Sequence, residues 1–228
     1  MTALTFELLD GSSQSLIVTD LLNAGYAGRE QAEVKAHIAE LAELGISGPA
    51  TTPALYPVSP YLAQQTSEVS VQHGRTSGEA EWALVITDTD VLLTVACDHT
   101  DRELEVHGVA WSKNASPDVL GRTAWRLDDV QDHLDQITLK AWVGEGEEAD
   151  TLIQESSMAA LLAPDYWLNV LSERGLNKPG TVLISGTVAM INGVDQFARS
   201  WKVELHDPTT GQSINAAYAV REMAEPIG

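Results

Sequence analysis

Two segments concentrate side chains that could do chemistry, and the first is a pair of glutamates. Glu79 and Glu81 directly precede an apolar segment that begins at Trp82. Residues two apart in an extended chain point to the same face, so the two carboxylates lie side by side. Like charges at that distance are unfavourable unless water or a cation relieves them, and Mg²⁺ prefers carboxylate oxygens. The spacing is compatible with a metal site, although two solvent-facing glutamates on an edge strand are the commoner arrangement.

The second segment is 97–103, with the sequence Cys-Asp-His-Thr-Asp-Arg-Glu. It follows the apolar run 91–96, and polar residues at the end of a buried strand often line a site. Asp98 could supply a third carboxylate to a cation held by Glu79 and Glu81. Taken alone, the segment is more typical of a charged turn with an Asp–Arg pair, which stabilises little at a surface.

Composition limits the classes of protein to consider. The 228 residues contain Lys+Arg 13 and Asp+Glu 33, for a formal net charge of −20. This charge argues against binding to nucleic acid or to an anionic membrane, because both need a basic face. The longest apolar run, 91–97, is far shorter than the ~20 residues of a membrane span, and the N-terminus lacks the pattern of a signal peptide. The single cysteine fits a reducing compartment, so we expect a cytoplasmic protein.

Hydrophobic patterning predicts an α+β domain in which β-structure dominates. An N-terminal segment, 1–48, contains two strands and an amphipathic helix whose apolar residues recur at three- and four-residue spacing. A β-rich core, 49–228, follows, and we expect one domain over 1–228. The predicted strands are 4–9, 15–22, 68–71, 82–87, 91–96, 137–143, 181–185, 196–205 and 213–221, and the predicted helices are 29–44 and 157–162, the latter continuing through 165–173.

Taken together, the motifs resemble the fumarylacetoacetate hydrolase superfamily. Members carry Glu-x-Glu at the head of a strand, then Asp-x-Thr/Ser-x-Arg-Asp, a Lys-Ser/Asn pair and a Gly-Thr in a strand-loop. The matching residues stand in the same order, and stretches 53–62, 127–148 and 176–187 also look like family segments. The matches are Glu79 and Glu81, Asp98 through Arg102, Lys113-Asn114 and Gly186-Thr187.

The resemblance implies a fumarylacetoacetate-hydrolase-like mixed β-sheet roll with few helices, commonly a homodimer. It also implies Mg²⁺ (or Mn²⁺) bound by Glu79, Glu81 and Asp98. The expected substrate is a small carboxylic acid, a 2-oxo acid or acylpyruvate. A hydrolase or lyase would cleave its C–C bond through a metal-stabilised enolate.

Further roles come from the same resemblance. Lys113 would place positive charge near the enolate, while Arg102 and Thr187 would bind the substrate. His37 and Glu40, three apart on the predicted helix, would activate water in a hydrolase. The chain departs from the family at residue 105, where Glu105 replaces a frequent Gln and makes the pocket more acidic.

Other functions stay open at this stage. A decarboxylase, a dehydratase or an isomerase could use the same metal site, and a non-catalytic protein that binds a small acid or a partner could keep the fold. A cysteine hydrolase using Cys97 with His99 is a third hypothesis. A lone cysteine at the end of an apolar strand is more often a small buried hydrophobe.

Overall fold

Strands are the dominant elements of the structure, a computed structural model that describes residues 2–32, 34–35, 38, 48–49, 51–225 and 227. The strands are β1 (Ala3–Leu8), β2 (Ser13–Ile17), β3 (Asp20–Gly25), β4 (Ala54–Val58), β5 (Ala63–Gln64), β6 (Glu68–Val71), β7 (Thr76–Ser77), β8 (Ala80–Ile86), β9 (Val91–Asp98), β10 (Thr100–Asp101), β11 (Asp118–Leu120), β12 (Thr123–Arg126), β13 (Thr138–Gly144), β14 (Thr151–Ser157), β15 (Thr181–Ile184), β16 (Ser200–Asp207) and β17 (Gln212–Glu222). The helices are α1 (Arg102–Glu105), α2 (Val109–Lys113), α3 (Leu127–Val130) and α4 (Pro164–Glu173). Within the described ranges, no helix is long and apolar enough to cross a membrane.

The strands form a large mixed sheet, a smaller five-stranded sheet and the short antiparallel pair β7–β10. The large sheet has the order β2-β1-β12-β9-β8-β15-β3-β4, with β11 beside β9 and β5 beside β11. Its β1–β12 and β3–β15 pairs are parallel, whereas β8 pairs antiparallel with both β9 and β15. The second sheet has the order β14-β13-β16-β17-β6. The mostly β, mixed-sheet fold expected from the sequence is therefore confirmed.

The β8–β9 hairpin is the centre of the fold because both of its faces are buried. Trp82 and Val95 belong to a large apolar cluster shared with the second sheet. Val85 and Leu92 belong to a smaller cluster that includes Phe6 of β1. A pair of strands packed on both faces is a rigid base for the polar residues at its end. The turn between the two strands is closed by the bond from Thr87 N to Asp90 O, 2.9 Å.

Two predicted elements are wrong for identifiable reasons. The single strand predicted over 15–22 is two strands, because the Thr19 amide bonds the Gly180 carbonyl at 2.9 Å and the chain changes its neighbour from β1 to β15. The helix predicted to start at Ser157 begins at Pro164 instead. Ser157 still pairs with Thr138 in the β13–β14 ladder, and a short 3₁₀ turn separates it from α4.

The predicted helix 29–44 is only partly described. Residues 31, 32, 34, 35 and 38 are helical. His37 and Glu40, the two residues expected to activate water, lie outside the described residues.

Candidate active site

Strand register brings four carboxyl groups to one place. In the β8–β9 ladder Glu81 stands opposite Ala96, and the Asp98 amide donates to the Glu79 carbonyl at 3.1 Å. Asp98 is also the register partner of Asp118 in β11. Opposite residues of an antiparallel pair share a face, so all four side chains point to the same side. One ligand oxygen from each of Glu79, Glu81 and Asp98 lies within 4.8 Å of the others.

Lys113 provides the positive charge inside this cluster. It ends the short helix α2 and is 5% exposed. Its Nζ donates to Asp98 Oδ2 and, at 3.2 Å, to Glu79 Oε2. Burial lowers the pKa of Lys113, but the nearby charges of Asp98, Glu79 and Glu81 outweigh it and raise the pKa well above its usual value. The side chain is therefore an ammonium fixed between two carboxylates.

Arg102 holds Glu79 from the other side. It begins α1, where the Asp101 carboxylate caps the helix by accepting from two backbone amides at 3.0 Å. Its Nε donates to Ser77 Oγ at 2.7 Å, Nη2 to Glu79 Oε1 at 2.9 Å and Nη1 to Glu105 Oε2 at 3.0 Å. Burial raises the pKa of Glu79, but Lys113 and Arg102 outweigh it and lower the pKa to about 2. Glu79 is consequently a fixed carboxylate.

Glu81 is buried with one oxygen uncompensated. Its Oε2 accepts from the Gly186 amide, whereas its Oε1 has no hydrogen-bond partner in the described chain. Burial raises the pKa of Glu81 well above its usual value, and Asp98 and Glu79 add to the effect against the opposing charge of Lys113. A buried carboxyl oxygen without a donor is costly, and a bound cation would remove that cost.

Asp118 is a second under-compensated acid in the cluster. Its Oδ1 accepts from Asn23 Nδ2 at 3.1 Å, and its Oδ2 has no partner among the described residues. Burial and the neighbouring Asp98 raise the pKa of Asp118 well above its usual range. Asp118 therefore adds a fourth acid beside Asp98, with less compensation from positive charge than Glu79 has.

The Gly186-Thr187 loop closes the cluster from the end of β15. Gly186 has φ +85°, and a Cβ there would lie 3.1 Å from the Ala27 Cβ, so glycine is required. The Thr187 hydroxyl donates to the Ala80 carbonyl at 2.8 Å and accepts from Gln154 Nε2 at 2.8 Å. The loop is thus fixed against Ala80, the first residue of β8, which stands between the two glutamates.

A cavity of about 560 Å³ opens over this cluster. Its volume lies within the range typical of small-molecule sites. Tyr26 and Tyr56 form an aromatic wall of the cavity. Tyr26 has φ 55°, which is unusual for a residue other than glycine. Tyr56 packs over the backbone of Gly25, where a Cβ would lie 2.8 Å from the ring. The residues that line the cavity include Tyr26, Val34, Tyr56, Glu79, Glu81, Glu105, Val109, Lys113, Gly186 and Thr187.

The structure brings together most of the residues singled out in the sequence. Glu79, Glu81, Lys113 and Thr187 line the cavity, and Asp98 contacts Lys113. Four contributors were not singled out as site residues: Asn23, Tyr56, Asp118 and Gln154. Tyr56 lies in the family-like stretch 53–62, which was its one signal. The others are placed by strand pairing, which no local motif reveals.

Cys97 and His99 do not form a nucleophile–base pair. The Cys97 thiol and His99 Nδ1 both contact the Tyr218 hydroxyl, at 3.2 and 2.9 Å, and His99 Nε2 contacts Thr76 Oγ1 at 2.9 Å. Burial raises the pKa of the Cys97 thiol and lowers the pKa of His99 to about 3. A buried neutral thiol is a poor nucleophile, so the cysteine-hydrolase hypothesis is not supported.

Comparison with solved structures identifies the class of fold. A 2-keto-3-deoxyarabinonate dehydratase aligns with a TM-score of 0.65 at 13% identity, covering 92% of this chain and 75% of that chain. The 2-keto-3-deoxy-D-arabinonate dehydratase complexed with magnesium and 2,5-dioxopentanoate gives 0.62 at 13%, covering 90% and 74%. The 4-oxalocrotonate decarboxylase from Pseudomonas putida G7, complexed with calcium and acetate, gives 0.54 at 16%, covering 89% and 76%. The chain therefore shares the fold of these three structures.

Comparison with family models identifies the family within that class. Residues 24–218 match the model of DUF2848, described as a protein of unknown function, and the chain belongs to this family. No curated protein matches the chain.

Proposed function

We propose that the protein is a divalent-metal-dependent lyase or hydrolase acting on a small 2-oxo acid. One observation carries the proposal: three carboxylates converge beneath a cavity, and one of their oxygens, Glu81 Oε1, is buried without a partner. Two structures with the same fold support it, one complexed with magnesium and 2,5-dioxopentanoate and one with calcium and acetate.

The donor set fits a hard divalent cation. Glu79, Glu81 and Asp98 offer oxygen ligands, which suit Mg²⁺ or Mn²⁺. Three carboxylates surround the single ammonium of Lys113, which leaves two formal negative charges when all are ionised. A divalent cation held there would supply Lewis-acid polarisation of the keto oxygen of a 2-oxo acid.

Lys113 has the position of an electrostatic catalyst. Its ammonium is fixed by Asp98 and Glu79 and borders the cavity. It therefore stabilises negative charge that develops on a substrate oxygen, and it needs no reorganisation because its two carboxylate partners already orient it.

Arg102 and Thr187 act on the substrate mainly through their neighbours. The Nε, Nη1 and Nη2 atoms of Arg102 each donate to a protein oxygen, so we assign it the positioning of Glu79. The Thr187 hydroxyl is occupied by Ala80 and Gln154, which leaves the backbone of its loop to meet the substrate carboxylate.

The choice between lyase and hydrolase depends on whether a residue of the site activates water. Among the described residues that line the cavity there is no histidine. Hydrolysis would need His37, oriented by Glu40, whereas decarboxylation, dehydration or isomerisation would not. A His37→Ala variant that loses hydrolysis alone would assign that role.

Turnover of a panel of 2-oxo acids, measured with and without Mg²⁺, tests the proposal. We expect Mg²⁺-dependent turnover in the wild type and a loss of at least about a thousandfold in Glu81→Gln, because the variant keeps the shape but lacks a ligand charge. Asp207→Asn is the matched control, since Asp207 is an equally buried acid outside the cavity. Full activity in Glu81→Gln would contradict the metal assignment, and binding without turnover would favour a non-catalytic small-acid-binding protein.

A further inference from the structure

Acidic side chains outnumber basic ones among the residues that line the cavity. Among the described lining residues, Lys113 is the single cation, and it is already bound to Asp98 and Glu79. Three glutamates line the same cavity: Glu79, Glu81 and Glu105. The undescribed positions add no lysine or arginine, because the residues at 33, 36–37, 39–47 and 50 are acidic, neutral or histidine.

The Arg102 guanidinium limits the distance between the carboxylates of Glu105 and Glu79. The Arg102 guanidinium binds Glu79 through Nη2 at 2.9 Å and Glu105 through Nη1 at 3.0 Å. Two carboxylate oxygens that accept from the two Nη atoms of one guanidinium lie at most about 8 Å apart. A five-carbon acid anchored at the metal ligands by its 2-oxo carboxylate would reach that far with its other end.

Arg102 cannot serve as a receptor for a second carboxylate at that end. Its charge is compensated by Glu79 and Glu105, and its side chain is only 16% exposed. Glu105 is 36% exposed, and its Oε1 has no ion pair or hydrogen bond within the described chain. The group that faces the ligand's far end is therefore a carboxylate oxygen, which repels anions and accepts hydrogen bonds.

Tyr26 and Tyr56 give the same region neutral hydrogen-bonding capacity. Both line the cavity with Glu105. Burial raises the pKa of each tyrosine, and the negative charge of Glu105 adds to the effect, so both remain phenols at neutral pH. Phenol hydroxyls donate and accept hydrogen bonds and a carboxylate accepts them, so these groups suit hydroxyl groups on a ligand.

We infer that Glu105 makes the cavity select 2-oxo monocarboxylates with an uncharged, hydroxyl-bearing far end and exclude those with a second carboxylate. This inference rests on the proposed function and narrows its substrate class.

A pair of five-carbon ligands tests the inference. The first, 5-hydroxy-2-oxopentanoate, and the second, 2-oxoglutarate, differ only in a terminal hydroxymethyl against a carboxylate. Their dissociation constants are measured by calorimetry with Mg²⁺ in the wild type, in Glu105→Gln and in Glu103→Gln. Glu103 is a matched control because it is an exposed acid on the same helix and does not line the cavity.

We expect the wild type to bind the hydroxy acid at least about tenfold more tightly, because the second carboxylate of 2-oxoglutarate meets the like charge of Glu105. Glu105→Gln should bring the two constants together by strengthening 2-oxoglutarate binding, and Glu103→Gln should leave the ratio unchanged. Equal affinities in the wild type, or the same change in both variants, would overturn the inference and leave the proposed function standing. If Mg²⁺ with oxalate also fails to bind, the proposed function falls, and the inference falls with it.

Discussion

Two buried acids, Glu81 and Asp207, differ in how the chain compensates them. Both side chains have no exposed surface. Asp207 accepts from Thr209 N at 2.9 Å, Thr210 Oγ1 at 2.7 Å and His133 Nε2 at 3.0 Å. Burial raises the pKa of Asp207, but these three donors outweigh it and lower the pKa. Glu81 accepts from one backbone amide, keeps one oxygen unpartnered and has a raised pKa.

The difference separates an acid that the fold compensates fully from one that it compensates in part, as the proposed metal site requires. Asp207 closes the turn between β16 and β17, and its own surroundings supply every bond it needs. Glu81 lies beside a cavity with one buried oxygen unpartnered, a cost in free energy that the proposed cation would remove. Buried polar groups are normally satisfied, so an exception that borders a cavity marks a site.

Replacing Lys113, whose ammonium lies inside the carboxylate cluster, should have the largest effect on stability. Lys113→Met leaves Asp98 and Glu79 buried without their ammonium partner. Breaking a buried ion pair from one side costs about 3–5 kcal/mol in the free energy of unfolding. Urea unfolding of the metal-free proteins measures this loss. Saturating Mg²⁺ should recover part of it, since the cation takes over the compensation; a variant as stable as the wild type would contradict the described ion pairs.

Asp207→Asn should have a smaller effect, confined to stability. The amide nitrogen of the new side chain faces a donor, so the free energy of unfolding should fall by about 1–3 kcal/mol. Binding of Mg²⁺ with oxalate should not change. Loss of ligand binding in this variant would show that the two acids are not independent.

The free energies of unfolding of Glu81→Gln and Asp207→Asn should differ from that of the wild type with opposite signs at neutral pH, and both differences should depend on pH. The folded pKa of Asp207 is lowered, so its contribution is complete above the usual value of 3.8 and is lost as the pH falls below it. The folded pKa of Glu81 is raised, so its contribution is present below 4.5 and is lost as the pH rises through the folded pKa. In metal-free urea unfolding at pH 7, Glu81→Gln should therefore equal or exceed the wild type in stability, and this advantage should vanish in acid. Parallel pH curves for Glu81→Gln and Asp207→Asn would contradict the comparison.

The sequence predicted the parts of the site that motifs encode. Glu79, Glu81 and Asp98 were singled out by alternation and by their position beside apolar strands, whereas their metal role and the role of Lys113 followed from the family resemblance. Asp118 could not be found, because it joins the cluster only through the register of β11 against β9, and its amide partner Asn23 is 95 residues away.

The parts of the fold that the sequence did not predict also depend on contacts between residues far apart in the chain. The apolar runs 82–87 and 91–96 predicted the two central strands, because both patterns are local. The break between β2 and β3 depends on the distant carbonyl of Gly180, and the end of β14 depends on Thr138. Local propensity does not contain either contact.

Thermal unfolding with Mg²⁺ and oxalate, run on the wild type, Glu81→Gln and Asp207→Asn, tests the central claim most directly. Oxalate resembles the chelating end of a 2-oxo acid, and a ligand that binds only the native state raises the melting temperature. We predict a rise in the wild type and in Asp207→Asn that is absent in Glu81→Gln. A rise of equal size in all three proteins, or in none, would contradict a metal site built on Glu81.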